Sequence, residues 1–151
     1  MSVILHLGVS DQPYANEPRP PGSKATSGTQ TTGDVATWLE DKYHVMEIFF
    51  ELHRQEIADL MAKSVSGGLE NLLLGSPIGG DVFGDATNEM QEMFKRFLSE
   101  KQMDSLGYPG VPTKAALLGK SHRFKKKYSG PRPSFIDTGL YEASMKAWID
   151  K

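Results

Sequence analysis

Apolar residues recur at spacings of three and four along the central part of the chain, which is the period of an amphipathic helix. We predict one long helix over about 35–74, with Asp34 as its N-cap and Gly75-Ser76-Pro77 as its end. Gly67-Gly68 is the place where a break is expected, because each glycine costs about 1 kcal/mol relative to alanine. The apolar positions are Val35, Leu39, Tyr43, Met46, Phe50, Ile57, Leu60, Met61, Val65, Leu69 and Leu72.

A second helix with its own apolar stripe is predicted over about 87–106. Shorter patterns predict a strand within Val3–Val9, a short helix over Thr113–Leu118, and a short helix or strand over Leu140–Ile149. The predicted fold class is therefore α+β and mainly α, with the two helices packed on a few short strands. The stripe of the second helix is interpreted as core and not as a cofactor site: Met90, Met93, Phe94, Phe97 and Leu98.

The first 34 residues are predicted to form an extended arm. They contain a proline-rich stretch that ends at Pro20-Pro21, followed by a Ser/Thr/Gly-rich stretch up to Gly33. Such sequence buries too little apolar surface to offset its ordering entropy, so any order is expected to come from a neighbouring chain. Residues 35–151 are predicted to be a single domain that includes a basic loop over 119–133 and a docking segment over 134–151.

The composition excludes several kinds of chemistry. The chain of 151 residues has no cysteine, which removes disulfides, thiolate metal sites and a cysteine nucleophile. It has no apolar run of the roughly 18–20 residues that a membrane span needs. We therefore expect a protein made in a cytoplasm, with no membrane partner and no cofactor.

The net charge of −2 conceals an uneven distribution along the chain. Residues 1–104 contain 16 acidic and 8 basic side chains, whereas residues 105–151 contain 3 acidic and 9 basic ones. Two interpretations stay open at this point. The two halves neutralise each other inside one fold, or they form complementary patches for head-to-tail self-association.

Asp137-Thr138-Gly139 follows two apolar residues, as does the catalytic aspartate of aspartic proteases. Such an enzyme needs two carboxylates that share one proton, and therefore two motifs or a dimer. Only 12 residues follow Gly139, too few for the strands that normally come after the motif, and the preceding hundred residues are mainly helical. We therefore predict that Asp137 is not catalytic.

Other sequence patterns for catalysis or metal binding are incomplete. Gly119-Lys120-Ser121 ends like a phosphate-binding loop, but the glycine required five positions earlier is replaced by Lys114. His44 and His53 do not have the spacing of helical metal ligands, so they are interpreted as surface histidines. We therefore predict no catalytic residue and no metal ligand, and hence no enzymatic activity.

A basic run over 120–128 contains two interleaved aromatic residues, Phe124 and Tyr128. It has three interpretations: contacts with phosphates and stacking on bases, docking on an acidic neighbouring subunit, or a solvated loop. Its cations are Lys120, Arg123, Lys125, Lys126 and Lys127.

A C-terminal segment runs from Arg132-Pro133 through Phe135-Ile136, Asp137-Thr138-Gly139 and Tyr141 to Ser144. This segment resembles the C-terminal end of head–tail junction proteins of tailed bacteriophages, the virion morphogenesis and tail-completion family, although leucine is usual in that family at the position of Tyr141. A second segment, Thr31–Ala36 leading into Leu39-Glu40, is similar to the start of the first helix in such proteins.

The resemblance implies a non-enzymatic virion protein, assembled in the host cytoplasm, that forms a ring at the neck as a tail-completion, tail-terminator or connector subunit. Its implied partners are further copies of itself and neighbouring neck, portal-adaptor or tail-tube proteins, with a DNA contact also considered. The alternative is a phage DNA-binding factor that acts through residues 120–128. Tyr141, Met145 and Trp148 are expected to form one helical stripe that docks the C-terminus. The predicted assembly residues are Arg132, Pro133, Phe135, Asp137, Gly139, Tyr141 and Trp148.

Overall fold

The computed structural model describes residues 3–14, 30–76, 80–120, 130–136 and 139–150. Within these ranges the chain forms six helices and two strands. In chain order they are β1 (Ile4–Val9), α1 (Thr32–Tyr43), α2 (Val45–Leu73), α3 (Gly84–Ser99), α4 (Gln102–Ser105), α5 (Lys114–Leu117), α6 (Leu140–Ser144) and β2 (Met145–Asp150). The predicted α+β, mainly α class is confirmed.

The predicted single helix over 35–74 is wrong, because the chain forms two helices that meet at His44. His44 has the left-handed conformation, with φ of 52° and ψ of 44°, and so interrupts the helical backbone. The carboxylate of Glu40 then accepts hydrogen bonds from the N–H groups of Met46 at 2.8 Å and Glu47 at 3.1 Å. Glu40 thus satisfies the first turn of α2, for which His44 supplies no side-chain cap.

The predicted weak point at Gly67-Gly68 does not break α2, which continues to Leu73. Gly68 instead lies against Val82. A Cβ atom at position 68 would be only 3.2 Å from Cγ1 of Val82. The absence of a side chain therefore lets the loop before α3 pack closely on α2.

The N-cap of α1 is Thr31, three residues before the predicted cap at Asp34. The Thr31 hydroxyl accepts a hydrogen bond from the Asp34 N–H at 3.2 Å, and the Asp34 carboxylate accepts one from the Thr31 N–H at 3.1 Å. This reciprocal pair is a capping box, in which Asp34 occupies the third helical position.

The helix predicted over 87–106 is present, but it begins three residues earlier and ends seven residues earlier than predicted. It is α3, Gly84–Ser99, and Lys101 with φ of 58° separates it from the one-turn helix α4. The predicted apolar stripe of α3 is buried, with the rings of Phe94 and Phe97 packed against Phe49 of α2 at centroid distances of 5.2 and 5.5 Å. This aromatic cluster is the centre of the core.

The predicted strand within Val3–Val9 is confirmed as β1, but residues 4–14 pack on their own chain and do not extend from it as an arm. Strand β1 pairs antiparallel with β2, with Ile4 opposite Asp150 and Val9 opposite Met145. The buried hydroxyl of Thr32 accepts a hydrogen bond from the Gln12 N–H at 2.8 Å and donates one to the Ser10 carbonyl at 2.7 Å. Order in this segment therefore comes from its own chain. Residues 15–29 of the predicted arm lie outside the described residues.

The predicted C-terminal stripe of Tyr141, Met145 and Trp148 is also corrected. Helix α6 ends at Ser144, and the next six residues form β2, in which side chains alternate between the two faces. Met145 is buried, whereas Trp148 lies on the outer face and stacks on His6 at 5.2 Å. Gly8 leaves room for the indole, since a Cβ there would be 3.0 Å from Trp148.

The second half of α2 extends beyond the core. The buried residues of α2 all lie in its first half: Val45, Ile48, Phe49 and Ile57. The large apolar side chains that follow Leu60 and Met61 are exposed. Among the described residues, no helix has the combination of length and apolar character needed to cross a bilayer. The exposed side chains of this half are Val65, Leu69, Leu72, Leu73 and the following Leu74.

Candidate functional site: an aromatic pocket

The C-terminal motif and helix α1 enclose a cavity of about 320 Å³, which we call the aromatic pocket. Two chain segments that are about a hundred residues apart in sequence supply most of its wall. Helix α1 packs against α6, which brings them together. The lining residues are Tyr14, Val35, Trp38, Leu39, Tyr43, Thr113, Ala115, Arg132, Phe135, Gly139 and Tyr141.

Hydrogen bonds hold the segment around Ser134 at the base of the pocket. The buried Ser134 hydroxyl accepts a hydrogen bond from the Thr113 N–H at 3.1 Å, and the Ser134 N–H donates one to Asp104 Oδ2 at 3.1 Å. The next residue, Phe135, has φ of 67°, and its ring packs against Tyr43 at 5.0 Å. The C-terminal motif is thereby connected to α4, to the start of α5 and to α1.

Arg132 holds the turn that leads into the motif. Its guanidinium donates hydrogen bonds to the Ile136 carbonyl and to the Lys120 carbonyl, the latter at 3.2 Å. Its backbone N–H donates to the Ala116 carbonyl at 3.0 Å. Because three backbone carbonyls accept from this one residue, Arg132 both lines the pocket and positions the segment that forms it.

Tyr141 is the buried polar residue of the pocket. Its side chain is 3% exposed, and its ring packs edge-on against Phe94 at 5.9 Å. Its hydroxyl has no hydrogen-bond partner among the described residues. Burial raises the pKa of the phenol well above its usual value, and the carboxylate of Glu40 and the phenol of Tyr14 raise it further.

As the pH rises above 10, we expect the free energy of unfolding to fall less for the Tyr141→Phe variant than for the parent protein. The phenol ionises near pH 10 in the unfolded chain but at higher pH in the folded one, so its contribution is present below pH 10 and is lost as the pH rises above it. At pH 10.5 the difference in free energy of unfolding should shift in favour of the variant by about 1 kcal/mol relative to pH 8.5. Urea unfolding at both pH values measures this difference.

The exposed Tyr108→Phe variant controls for the removal of a phenol from the chain. The burial argument would be contradicted if the shift for Tyr141→Phe were no larger than the shift for this control.

The rim of the pocket is aromatic and basic. Trp38 is 56% exposed and packs edge-on against Tyr43 at 6.0 Å. The ammonium group of Lys42 lies 4.9 Å from the Trp38 ring and 5.2 Å from the Tyr43 ring, in cation–π geometry. Exposed aromatic rings beside cations are typical of protein interfaces.

Four of the predicted assembly residues line the pocket together: Arg132, Phe135, Gly139 and Tyr141. Pro133 is half-buried beside Arg132. Trp148 does not join them, because β2 turns it to the outer face of the sheet. Asp137 lies outside the described residues.

Of the predicted basic patch, Lys120 is exposed in the turn that follows α5. The remaining members, Arg123, Lys125, Lys126 and Lys127, lie outside the described residues.

Sequence reasoning missed two members of the rim, Trp38 and Lys42. The available signal was the spacing of Trp38, which lies three residues after Val35 and therefore at the edge of the predicted apolar stripe of Val35, Leu39 and Tyr43. A tryptophan that widens the apolar face of a predicted helix indicates a further contact surface.

In the part of the chain that the structure describes, one cluster of side chains has ligand atoms that could hold a metal ion. Atoms of Glu40, His44 and Glu47 lie within 4.8 Å of one another. However, both Glu40 oxygens accept hydrogen bonds from the first turn of α2, and His44 Nδ1 pairs with Glu47 at 2.9 Å. The cluster is therefore accounted for by the junction between α1 and α2.

Comparisons with family models, curated proteins and solved structures find no match to this chain. The arrangement of the pocket and the two segments that meet in it are therefore the basis for a functional proposal.

Proposed function

We propose that this protein is a non-enzymatic structural protein of a tailed-phage virion. It would form a ring at the neck, as a tail-completion, tail-terminator or head–tail connector subunit. Its partners would be further copies of itself and the adjacent neck, portal-adaptor or tail-tube proteins.

The observation that carries this proposal is the meeting of two segments in the aromatic pocket. Thr31–Ala36 with Leu39-Glu40, and Arg132–Ser144, each resemble head–tail junction proteins. Val35 and Leu39 from the first segment line the same cavity as Phe135 and Tyr141 from the second. Because the two segments that carry the resemblance line one cavity, together they support a shared role better than either segment alone.

The uneven charge of the chain supports assembly as the mechanism. The acidic helical side of one subunit would face the basic C-terminal part of the next, and the pocket would open at that boundary. Ring contacts of this kind join two different surfaces, so each subunit must present both. The charges would set the orientation and rate of association more than its final affinity.

The proposal is tested on phage particles purified from cells that encode this chain. Mass spectrometry should detect the chain at a fixed number of copies per particle, and immunogold labelling should place gold at the junction of head and tail. Light scattering of the purified protein at several salt concentrations should show multimers of the 16.7 kDa chain. A chain that is absent from the particles would refute the proposal.

The same experiments separate the DNA-binding alternative. In that case the chain would be missing from particles but would bind duplex DNA with a strong salt dependence. Reversal of charge at Lys125, Lys126 and Lys127 would then abolish DNA binding, whereas a structural subunit would show no such DNA affinity to lose.

A further inference from the structure

The end of α2 carries the most exposed apolar side chains of the described residues. Leu73 and Leu74 are 86% and 81% exposed, and Leu72 is 56% exposed. We call these three residues the leucine tip. Adjacent exposed leucines at a helix end are costly in water and mark a contact surface.

We propose that the leucine tip of one subunit inserts into the aromatic pocket of a second copy of the same chain. This head-to-tail contact deepens the proposed ring function and rests on it. It would make each pocket incomplete until a neighbouring subunit fills it.

The tip cannot reach the pocket of its own chain. The pocket lies beside Leu39 and Tyr43, just before α2 begins at Val45. Helix α2 has 29 residues, so its two ends are about 43 Å apart at 1.5 Å per residue. Any contact between tip and pocket must therefore join two molecules.

The pocket fits the tip in size and polarity. A cavity of about 150 Å³ is sufficient to bind benzene, so one of about 320 Å³ has room for two leucine side chains. Its walls are formed largely by the rings of Trp38, Tyr43 and Phe135 and by aliphatic side chains. Burial of the tip would remove from water the apolar surface that α2 now exposes.

The polar groups of the two surfaces are complementary as well. The C-terminus of a helix is the negative end of its dipole. The exposed ammonium group of Lys42 lies at the rim of the pocket, 4.9 Å from the Trp38 ring. A helix C-terminus is therefore the end that this rim attracts.

Charges around the two surfaces favour the same orientation. The groove beside the tip is lined by four carboxylates and one lysine: Glu70, Asp81, Asp85, Glu89 and Lys63. The cations near the pocket are Lys42, Lys114 and the lining residue Arg132, and the carboxylates of Glu40 and Asp41 lie beside Lys42 in α1. Pairing of tip with tip would bring two groups of carboxylates together, whereas pairing of tip with pocket places one group of carboxylates beside Lys42 and Lys114.

Since the chain contains no cysteine, introduced thiols give a direct test. Ser76→Cys lies just past the tip, and Ala115→Cys lies in the pocket wall. Neither change alters a leucine of the tip or an aromatic residue of the pocket. With a short bismaleimide, a mixture of the two single variants should give crosslinked dimers only, and the double variant should give a ladder of higher multimers.

The single variants provide the opposing outcomes. Crosslinking of Ser76→Cys to itself would indicate a symmetric contact between two α2 ends and would overturn the proposal. Absence of crosslinks in both the mixture and the double variant would overturn it as well.

A second measurement does not depend on crosslinking. Leu73→Lys places a positive charge on the tip, which would have to enter a pocket that already has the cations of Lys42 and Arg132 near it, so self-association measured by light scattering should weaken by about tenfold or more. Leu52→Lys is the matched control, because Leu52 is an exposed leucine of the same helix outside the tip. Equal effects of the two variants would contradict a specific role for the tip.

The two proposals fail separately. If the chain is found at the neck of particles but gives no crosslinks, only the contact between tip and pocket is wrong. If the ladder forms but the chain is absent from particles, the self-association stands and the virion function is wrong.

Discussion

Replacing Phe94 with alanine is expected to lower the free energy of unfolding by about 3–5 kcal/mol. Phe94 is fully buried, and its ring packs against Phe49 at 5.2 Å, Phe97 at 6.3 Å and Tyr141 at 5.9 Å. The substitution removes the transfer free energy of the ring and leaves a cavity between three elements, which the surrounding helices cannot fill completely. Urea unfolding followed by circular dichroism measures the effect.

The same substitution is expected to disturb the aromatic pocket, because Phe94 supports the buried ring of Tyr141. Leu52→Ala is the control for an apolar truncation at an exposed site, and its expected cost is below about 1 kcal/mol. A Phe94→Ala protein as stable as this control would show that α3 does not form the centre of the core.

Replacing Thr32 with valine is expected to cost about 1–3 kcal/mol, although the two side chains have nearly the same shape. The Thr32 hydroxyl is fully buried and joins two backbone groups, the N–H of Gln12 and the carbonyl of Ser10. Valine leaves both groups without this partner, and the segment after β1 keeps its other two bonds to the start of α1, from the Thr32 N–H to the Gln12 carbonyl and from the Gly33 N–H to Asp11. Urea unfolding gives the cost, and amide hydrogen exchange at Gln12 reports the local loss of protection.

Thr37→Val is the matched control for this prediction. The hydroxyl of Thr37 also bonds to a backbone carbonyl, that of Gly33 at 2.9 Å, but it lies on the exposed side of α1. Water can replace this bond, so the change should be within about 0.5 kcal/mol. If the two variants were equally stable, the buried Thr32 hydroxyl would not stabilise the contact between the segment after β1 and α1.

The helical part of the fold was predictable where the sequence has a strong local period. The stripe of α3 predicted which of its side chains are buried, because five large apolar residues recur on one side of a polar helix. The capping box of α1 was also visible as a polar pattern, although Thr31 and not Asp34 is its first residue. Boundaries of this kind depend on one or two hydrogen bonds, and neighbouring polar residues compete for them.

The break between α1 and α2 was not predictable from the apolar period. The stripe continues past His44, and histidine has an ordinary helix propensity, although it is among the residues that adopt the left-handed conformation more often than most. The break is stabilised by Glu40, whose carboxylate satisfies the first turn of α2. The two glycines that suggested a break elsewhere instead lie within α2, where Val82 packs against Gly68.

The candidate site was predictable in part. The C-terminal motif indicated Arg132, Phe135, Gly139 and Tyr141, and these residues do line one cavity. Trp38 and the other α1 residues of the pocket could not be assigned to it, since they are about a hundred residues away in sequence. Only packing of α1 on α6 brings the two segments together.

The sequence by itself determined the fold class, the buried side of α3 and the two segments that supply most of the pocket wall, because periodicity and local motifs act over a few residues. The tertiary structure decided three other features. It paired β1 with β2 and so ordered residues 4–9, it turned Trp148 away from Tyr141, and it left the leucine tip exposed while burying Phe49 on the same helix. Each depends on contacts between residues far apart in the chain, whose strand register and helix packing no local pattern specifies.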